Sequence, residues 1–465
     1  MGSEINRPII KNRDILLNPL LENDIISIRK VVLDILEAGV LAADPQDAVM
    51  RAISCNEDMI ILPDGLKKKF SEIDRIFVIG VGKASAAMAN ALETLLGEKI
   101  SNGYINIPEN QNLELFDLKK VKVNPAGHPL VNKGSIEGTK KIIGLLKDLT
   151  TSDLIFCLLS GGGSALLELP ADGITLDDLN LLFKELSRVG ATIHELNTLR
   201  KHLSKVKGGR LAQAAQPAMV VSLIISDVVG DDLDTIASGP TAPDRSTWLD
   251  TKKIIEKYNL SETIPSSIMK IIDEGINGII DDTPKFNNLV FRNVKNIIIA
   301  SNKLSCNAMK EYAEGIGLQS TIVTTSLCGE AKTIGKDLVK DIREQQNKTA
   351  LIMGGETTVT IKGKGKGGRS QELVLASCEM IGDEKGLAIA AIGSDGIDGP
   401  TDVAGAIVDN YVSQQGQKLG LKISKYLENN DSYNYLKETK SHIITELTGT
   451  NVMDLIVAVK MSSKM

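Results

Sequence analysis

Small and hydroxyl-bearing residues follow one apolar run of this sequence, in the stretch CLLSGGGSALLELP from residue 157 to residue 170. Three consecutive glycines let backbone amides close around the oxygens of a phosphate group, which a Cβ would obstruct, and the serines add hydroxyl donors. A tight turn for close helix packing needs the same glycines, so that alternative stays open. The candidate nucleotide-binding residues of this stretch are Ser160, Gly161, Gly162, Gly163 and Ser164.

A lysine follows a second apolar run, in GVGKAS from residue 80 to residue 85. The stretch is not a Walker A loop, because Phe77 and Ala84 stand where glycine and Ser or Thr are needed, and Ser85 fits a dinucleotide fingerprint only loosely. What remains is Lys83 at the beginning of a predicted helix, where free N–H groups and the helix dipole favour an anion. A solvated surface lysine at a tight turn is the alternative.

Carboxylates crowd the segment SDVVGDDLD, residues 226–234, after a third apolar run. Mg²⁺ prefers oxygen ligands, often one or two carboxylates with water and phosphate oxygens, and a carboxylate also accepts a proton from a substrate hydroxyl. Asp227 lies nearest the predicted strand end, so it is the candidate for a catalytic or a metal-binding role. Asp231 is a second candidate metal ligand. An acidic loop with capping aspartates would give the same pattern.

Basic residues cluster in a predicted helix and its glycine end, in ELNTLRKHLSKVKGGR from residue 195 to residue 210. A solvated helix face explains most of them. Three polar side chains are close enough in sequence to line the mouth of a site. Asn197 and Arg200 are candidate substrate-binding residues, and Lys207 is a candidate nucleotide-binding residue.

A glycine-rich, cationic loop, KGKGKGGRSQE, precedes another predicted helix. Gly363, Gly365 and Gly368 match GxGxxG, but a dinucleotide site needs an acidic residue about 20 positions later, and Asp395 lies 27 positions after Gly368. We expect instead a phosphate clamp in which Arg369 makes bidentate contacts. A disordered hairpin tip is the alternative.

One more turn, GSDGIDGPTD, follows a predicted strand at residues 393–402. Its glycines and aspartates suit a metal or a nucleotide, and Asp395 is the candidate metal ligand. A turn with capping aspartates is the alternative.

These stretches lie mostly at the ends of predicted strands that alternate with predicted helices. We expect strands at 75–83, 154–159, 220–226, 296–301, 319–325, 349–353, 357–361 and 387–392, and helices at 25–42, 84–96, 175–189, 303–315 and 331–345. The alternation predicts an α/β fold class with two three-layer α/β/α domains, the first Rossmann-like with a mainly parallel sheet and the second with a mixed sheet. The polar, irregular segment 258–293 places the boundary, giving domains at 1–285 and 286–465.

Composition narrows the class of protein. The 465 residues are too many for one core, and 42% hydrophobic with 24% charged residues is typical of a soluble globular protein. A net charge of −6 argues against a nucleic-acid binder. Five cysteines without a CxxC pair favour a reducing cytoplasm over a disulfide scaffold. The charged N-terminus and the short apolar runs predict neither a signal peptide nor a membrane span.

Most of these motifs, together with NPAGHPLV at 124–131 and LTGTNVMDL at 447–455, resemble the class II glycerate 2-kinases, the MOFRL family, from about residue 24 to residue 459. The resemblance implies ATP-dependent, Mg²⁺-assisted phosphorylation of D-glycerate on its 2-hydroxyl in a cleft between two α/β domains, by a monomer or homodimer. It implies that Lys83 and Arg369 are the catalytic cations, which also contact the substrate. Gly355 and Glu356, in the motif GGETTVTI, are further candidate nucleotide-binding residues.

Other functions stay open at this point. An NAD(P)-dependent hydroxypyruvate reductase would need a dinucleotide fingerprint that neither glycine motif supplies cleanly. Phosphorylation of the 3-hydroxyl is a second alternative. A non-catalytic protein that binds small phosphorylated or carboxylated metabolites would use the same anion-binding loops without ATP turnover.

Overall fold

The computed structural model describes residues 8–112 and 116–461, and the chain divides into two compact units. The central unit comprises residues 45–299, and the terminal unit combines residues 1–44 with residues 300–465. This division differs from the predicted boundary at 285/286 at both ends of the first domain. The long helix at 23–42 packs its apolar face on the later unit, where Val32 shares a core with Met309 and Val457.

The strands of the described residues are β1 (Ser54–Cys55), β2 (Met59–Ile61), β3 (Lys67–Lys69), β4 (Ile76–Val81), β5 (Ile100–Pro108), β6 (Val121–Ala126), β7 (Leu154–Leu159), β8 (Met219–Ile225), β9 (Val294–Ala300), β10 (Gln319–Leu327), β11 (Thr349–Gly355), β12 (Leu387–Gly393), β13 (Gly405–Asp409), β14 (His442–Ile443) and β15 (Asp454–Lys460).

The α-helices are α1 (Arg13–Leu16), α2 (Asn23–Ala42), α3 (Pro45–Ala52), α4 (Ser85–Leu96), α5 (Lys133–Leu145), α6 (Gly163–Leu166), α7 (Leu176–Arg188), α8 (Ile193–His202), α9 (Arg210–Ala214), α10 (Trp248–Lys257), α11 (Ser266–Ile276), α12 (Asn302–Gly315), α13 (Ala331–Glu344), α14 (Arg369–Ile381), α15 (Asn410–Lys418), α16 (Ile423–Glu428) and α17 (Ser432–Glu438).

The central unit is built on a six-stranded sheet with the order β6-β5-β4-β7-β8-β9. The pairs β4–β5, β4–β7, β5–β6 and β7–β8 are parallel. Every residue of β4 and β7 is buried, which is why these strands read as unbroken apolar runs rather than alternating patterns. Helices α7, α8, α10 and α11 form a separate apolar cluster around Leu182 and Ile272.

The terminal unit is built on a six-stranded mixed sheet with the order β10-β11-β15-β12-β13-β14. Only β10 and β11 pair in parallel, and β15 lies antiparallel between β11 and β12. Successive residues of one strand face different cores, because Leu351 lies in one apolar cluster and Ile352 in the other. Apolar packing on both faces of the sheet confirms the predicted α/β architecture with a mixed second sheet.

Three sequence-based assignments are wrong. Residues 357–361 form no strand, and only Thr358 makes an isolated bridge, to Glu330. The segment 258–293, which we expected to be irregular, contains the amphipathic helix α11. Strand β9 was assigned to the second domain, but it lies at the edge of the central sheet, where sequence order alone cannot place it.

Among the described residues, no helix combines the length and the apolar character needed to cross a membrane. All five cysteines are free thiols.

Candidate active site

The carboxyl ends of β4, β7 and β8 meet at one edge of the central sheet, because these neighbouring strands are parallel. The loops that follow them carry Lys83, the stretch Ser160 to Ser164, and Asp227. The structure therefore brings together three groups that the sequence singled out separately. Ligands of open α/β sheets bind at this edge.

Lys83 is exposed on the turn between β4 and α4. Its backbone N–H donates to the Gly161 carbonyl at 2.9 Å, and the Ala84 N–H donates to Ser160 Oγ at 3.0 Å. Gly82 has a φ of 126°, and a Cβ there would lie 2.2 Å from Ser160 Oγ. The loop after β7 thus fixes the turn that presents Lys83. Ser160, only 2% exposed, serves this turn, and its nucleotide-binding role stays a prediction.

The three glycines of the loop after β7 each face a different neighbour. A Cβ on Gly161 would lie 2.4 Å from Asp227 Oδ2, and one on Gly162 would lie 2.8 Å from His128 Cδ2. A Cβ on Gly163 would lie 2.6 Å from the Cβ of Ala237. The bare backbone therefore has a packing reason: it admits a carboxylate and an imidazole ring from two other loops of the unit.

A chain of side-chain contacts connects this loop to the basic helix α8. Ser164 Oγ lies 2.8 Å from Ser238 Oγ, which donates to Asn197 Oδ1 at 3.1 Å. Arg200 donates to the same Asn197 oxygen at 3.3 Å. Both Ala237 and Ser238 have a positive φ, 51° and 60°, and such strained backbone clusters at functional sites. The predicted substrate residues Asn197 and Arg200 are thus linked to Ser164.

Lys207, a predicted nucleotide-binding residue, is fully buried. Its Nζ donates to Glu168 Oε2 at 2.6 Å and to the Leu167 carbonyl. Burial lowers the pKa of Lys207, and the neighbouring Glu168 opposes that shift. Burial likewise lowers the pKa of Arg200, again opposed by Glu168. Lys207 is therefore an internal partner of Glu168 with no surface for a nucleotide, which corrects the prediction.

The acidic loop after β8 presents Asp227 and Asp231 differently. Asp227 is half-buried against Gly161. Asp231 has a positive φ of 57° and lines an open cavity with Arg245 and Lys285. The described residues contain no group of three or more His, Cys, Asp or Glu side chains placed to hold a metal ion. The acidic loop is thus not a ready-made metal cage.

In the terminal unit, Arg369 is the first residue of α14, and two carboxylates hold it. Its Nε donates to Asp454 Oδ2 at 2.6 Å and its Nη2 to Asp454 Oδ1 at 3.0 Å. Its Nη1 donates to Glu356. Asp454 begins β15 opposite Gly355 and Gly393, the last residues of β11 and β12. The guanidinium therefore lies at the edge where these strands end.

The charged groups around Arg369 shift one another's pKa values. Burial alone would lower the pKa of Arg369, but its contacts with Asp454 and Glu356 raise it above the usual range. Burial raises the pKa of Asp454 to about 7, with the Asp398 and Glu356 carboxylates adding to the shift and Arg369 opposing it. Two of the five guanidinium N–H groups stay available to an anion, and Glu356, which is exposed, is the partner that an anion would compete with.

The helix that carries Arg369 begins on a buried aspartate. Asp398 accepts hydrogen bonds from the Ser370 and Gln371 backbone N–H groups at 3.0 and 2.8 Å. Burial raises the pKa of Asp398, opposed by these hydrogen bonds and by Arg369. A Cβ on Gly368 would lie 2.3 Å from Asp398 Cγ. Residue 368 is a glycine because the Asp398 carboxylate, which caps helix α14, occupies the space that a side chain would need.

The GxGxxG match does not form a dinucleotide loop. A Cβ on Gly363 would lie 2.2 Å from the Asn429 carbonyl oxygen, and one on Gly365 would lie 2.4 Å from Asp431 Cβ. These glycines pack against the segment before α17 rather than facing a ligand, and no strand precedes them. The structure gives the reductase alternative no support.

The remaining predicted residues lie at strand ends of the terminal unit. Gly355 has a φ of 142° and packs against the Leu327 backbone, and Glu356 follows it as the exposed partner of Arg369. Asp395 is half-buried and accepts from the Ile397 N–H at 3.1 Å in its own turn. Asp395 thus caps its own turn, and its role as a metal ligand stays a prediction.

Four residues of these sites were not predicted: His128, Ser238, Asp398 and Asp454. His128, Asp398 and Asp454 lie inside the motifs given above and Ser238 lies just after the acidic segment, yet the role of each depends on a contact with a distant segment. The only available signal was that His128 and Asp454 are chemically capable side chains within family-like motifs.

Two family models match the chain. One, described as a domain of unknown function (DUF4147), matches residues 31–273, and the other, described as the MOFRL family, matches residues 349–454.

Curated relatives cover nearly the whole chain. A glycerate 2-kinase of Pyrococcus horikoshii is 41% identical over 94% of this chain and 98% of its own. A D-glycerate 2-kinase of Thermotoga maritima is 38% identical over 93% of this chain and 98% of its own. A glycerate kinase of Danio rerio is 32% identical over 91% of this chain and 96% of its own.

Solved structures agree with these relatives. A crystal structure of a Pyrococcus horikoshii protein matches with a TM-score of 0.85 and 40% identity, covering 96% of this chain and all of that one. A glycerate kinase from Thermotoga maritima matches with a TM-score of 0.83 and 37% identity, covering 93% of this chain and 99% of that one.

Proposed function

This chain belongs to the MOFRL-type glycerate 2-kinases, and we propose that it transfers the γ-phosphoryl group of ATP to the 2-hydroxyl of D-glycerate through the site residues described above. It is a kinase, a transferase that acts on glycerate. Phosphoryl transfer asks a protein mainly to position its substrates and to neutralise charge, and that requirement matches the groups at the two sheet edges.

The observation that carries the proposal is the presentation of Lys83. The lysine is exposed at the amino end of α4, on a turn that two hydrogen bonds fix to the loop after β7. An ammonium group beside a helix N-terminus attracts a phosphoryl group or a carboxylate. Lys83 therefore supplies a positive charge at the edge where Asp227 also lies.

The charge and position of the other candidate residues indicate which part of the substrates each would bind. Asn197 and Arg200, linked to Ser164 through Ser238, suit the glycerate carboxylate. Gly161 and Gly162 offer backbone to nucleotide phosphate oxygens. Arg369, with two free N–H groups, suits the transferring phosphoryl group, and Gly355 and Glu356 adjoin it in the same unit.

Mg²⁺ fits this arrangement as a metal held mainly by ATP. Mg²⁺ usually keeps several waters and takes one or two carboxylates plus phosphate oxygens, so a protein site without a three-carboxylate group is compatible with it. Asp227 would hold the ion, which would neutralise phosphate charge, or would accept the proton of the 2-hydroxyl. Asp231 and Asp395 are secondary candidate ligands.

The relatives' names imply ATP and glycerate as the substrates. We extend the proposal to a cytoplasmic enzyme, supported by five free thiols, and to a monomer or homodimer.

The test is to incubate the protein with ATP, Mg²⁺ and D-glycerate and to detect the product with a coupling enzyme that accepts only 2-phosphoglycerate. We expect product formation that requires all three components. A product that only a 3-phosphoglycerate-specific enzyme accepts would overturn the regiochemistry, and ligand binding without ADP release would overturn the kinase function. Asp227→Asn with unchanged activity and Mg²⁺ dependence would remove Asp227.

A further inference from the structure

His128, which was not predicted from the sequence, lies beside the glycine loop of the central unit. It follows β6 by two residues, and the Cδ2–Nε2 side of its ring faces Gly162, since a Cβ there would lie 2.8 Å from Cδ2 and 3.1 Å from Nε2. The next glycine along, Gly161, faces Asp227 in the same way. The glycine loop therefore holds an imidazole and a carboxylate on successive residues.

The ring stays accessible and close to a cation. His128 is exposed to solvent, and partial burial together with the Lys83 ammonium lowers its pKa from the ordinary value near 6.5. The charge of Lys83, on the turn after β4, acts on the ring. The ring lies against Gly162 of the loop after β7, and Asp227 lies against the adjoining Gly161. At neutral pH the imidazole is uncharged and able to accept a proton.

We propose that His128 is the general base that takes the proton from the glycerate hydroxyl, an inference that rests on the kinase function proposed above. The O–H bond of the hydroxyl breaks and its proton moves to a ring nitrogen of His128. The freed electron pair of that oxygen forms the bond to the γ-phosphorus, and the bond from the phosphorus to the bridging oxygen breaks, so that ADP leaves with that electron pair. The imidazolium then returns the proton to solvent.

With His128 as the base, Asp227 no longer has to serve as both proton acceptor and metal ligand. A neutral imidazole beside an ammonium is a proton acceptor whose charged form is disfavoured, so it gives the proton up again readily after the transfer. Asp227 is then left for the phosphate and metal side of the reaction.

The experiment compares the pH profiles of kcat/KM for D-glycerate in the wild type, His128→Gln and the control His194→Gln. His194 is an exposed histidine of α8 that has no assigned role in the reaction. We expect His128→Gln to lose about 10²–10⁴-fold in kcat and to lose the acid limb that the wild type shows below pH 6.5. The KM for ATP and the control enzyme should be unchanged.

Any of three results would overturn the proposal: a kcat of His128→Gln within about threefold of the wild type, an acid limb that survives the substitution, or an acid limb that is missing from the wild type. Thermal melts check that the variant is folded, which the exposed position of His128 favours. A wild type that makes no 2-phosphoglycerate would instead reject the kinase function itself, so the two failures are distinguishable.

Discussion

Both units pack a bare glycine against an aspartate, but the two contacts serve different ends. In the central unit, Gly161 faces the Oδ2 of Asp227 in a loop that follows a parallel strand. In the terminal unit, Gly368 faces Asp398, which accepts the first N–H groups of the helix that begins with Arg369. Asp227 therefore lies at the sheet edge where ligands bind, whereas Asp398 uses its carboxylate oxygens to cap a helix.

The two cations, Lys83 and Arg369, likewise differ in how far their charge is available to a ligand. Lys83 is exposed and is held through backbone groups of its turn, so its flexible side chain is available to an anion. Arg369 is fixed through its own guanidinium by Asp454 and Glu356, which gives a rigid fork but leaves it with less free charge. The central unit offers a mobile charge, and the terminal unit offers a preorganised one.

The strongest test of this difference is Lys83→Ala. Removing the available cation should lower kcat by about 10³-fold, the range found when one group that stabilises transition-state charge is removed, while the melting temperature stays unchanged because the side chain is exposed. Lys67→Ala, at an exposed lysine of strand β3, is the matched control. Turnover of Lys83→Ala within tenfold of the wild type would contradict the role of the mobile charge.

Arg369→Ala should lower kcat about 10²–10³-fold and should also destabilise the fold. The substitution leaves the buried Asp454 carboxylate without its partner, which costs about 3 kcal/mol when a buried ion pair loses one member. The double variant Arg369→Ala/Asp454→Asn removes the orphaned charge, so urea unfolding should show recovered stability while activity stays low. Recovered activity in the double variant would show that Arg369 acts only through Asp454.

Much of this comparison was readable from the sequence, and the rest was hidden for a physical reason. The buried strands β4 and β7 and the glycine turns after them are local patterns, so the positions of Lys83 and the SGGGS loop at the ends of these strands could be predicted. The binding roles expected for Lys207 and for the loop of Gly363 could not be judged from the sequence. It shows that a residue is charged or lacks a side chain, but not which distant segment the residue packs against. The contacts of His128 with Gly162 and of Asp454 with Arg369 depend on sheet order, which no local pattern carries.

Gly161→Ala tests the poised aspartate. The new methyl group would lie 2.4 Å from Asp227 Oδ2, so the carboxylate must move, and we expect kcat to fall about tenfold with a higher Mg²⁺ concentration for half-maximal activity. Gly144→Ala is the control, since a Cβ at this glycine of α5 meets nothing within 4 Å. An unchanged Mg²⁺ requirement in Gly161→Ala would show that the position of Asp227 is not critical.

The smallest effects on activity should come from removing the two helix caps, one in each unit. Asp398→Ala removes a buried cap from α14 and should cost about 2 kcal/mol of stability, whereas Thr192→Ala removes the exposed capping box of α8 and should cost about 1 kcal/mol. Because α8 carries Asn197 and Arg200 on its later turns, Thr192→Ala should leave the KM for glycerate nearly unchanged. Urea unfolding gives both costs, and if Thr192→Ala proves the more destabilising, the terminal unit does not depend on its buried aspartate as the contacts of Asp398 indicate.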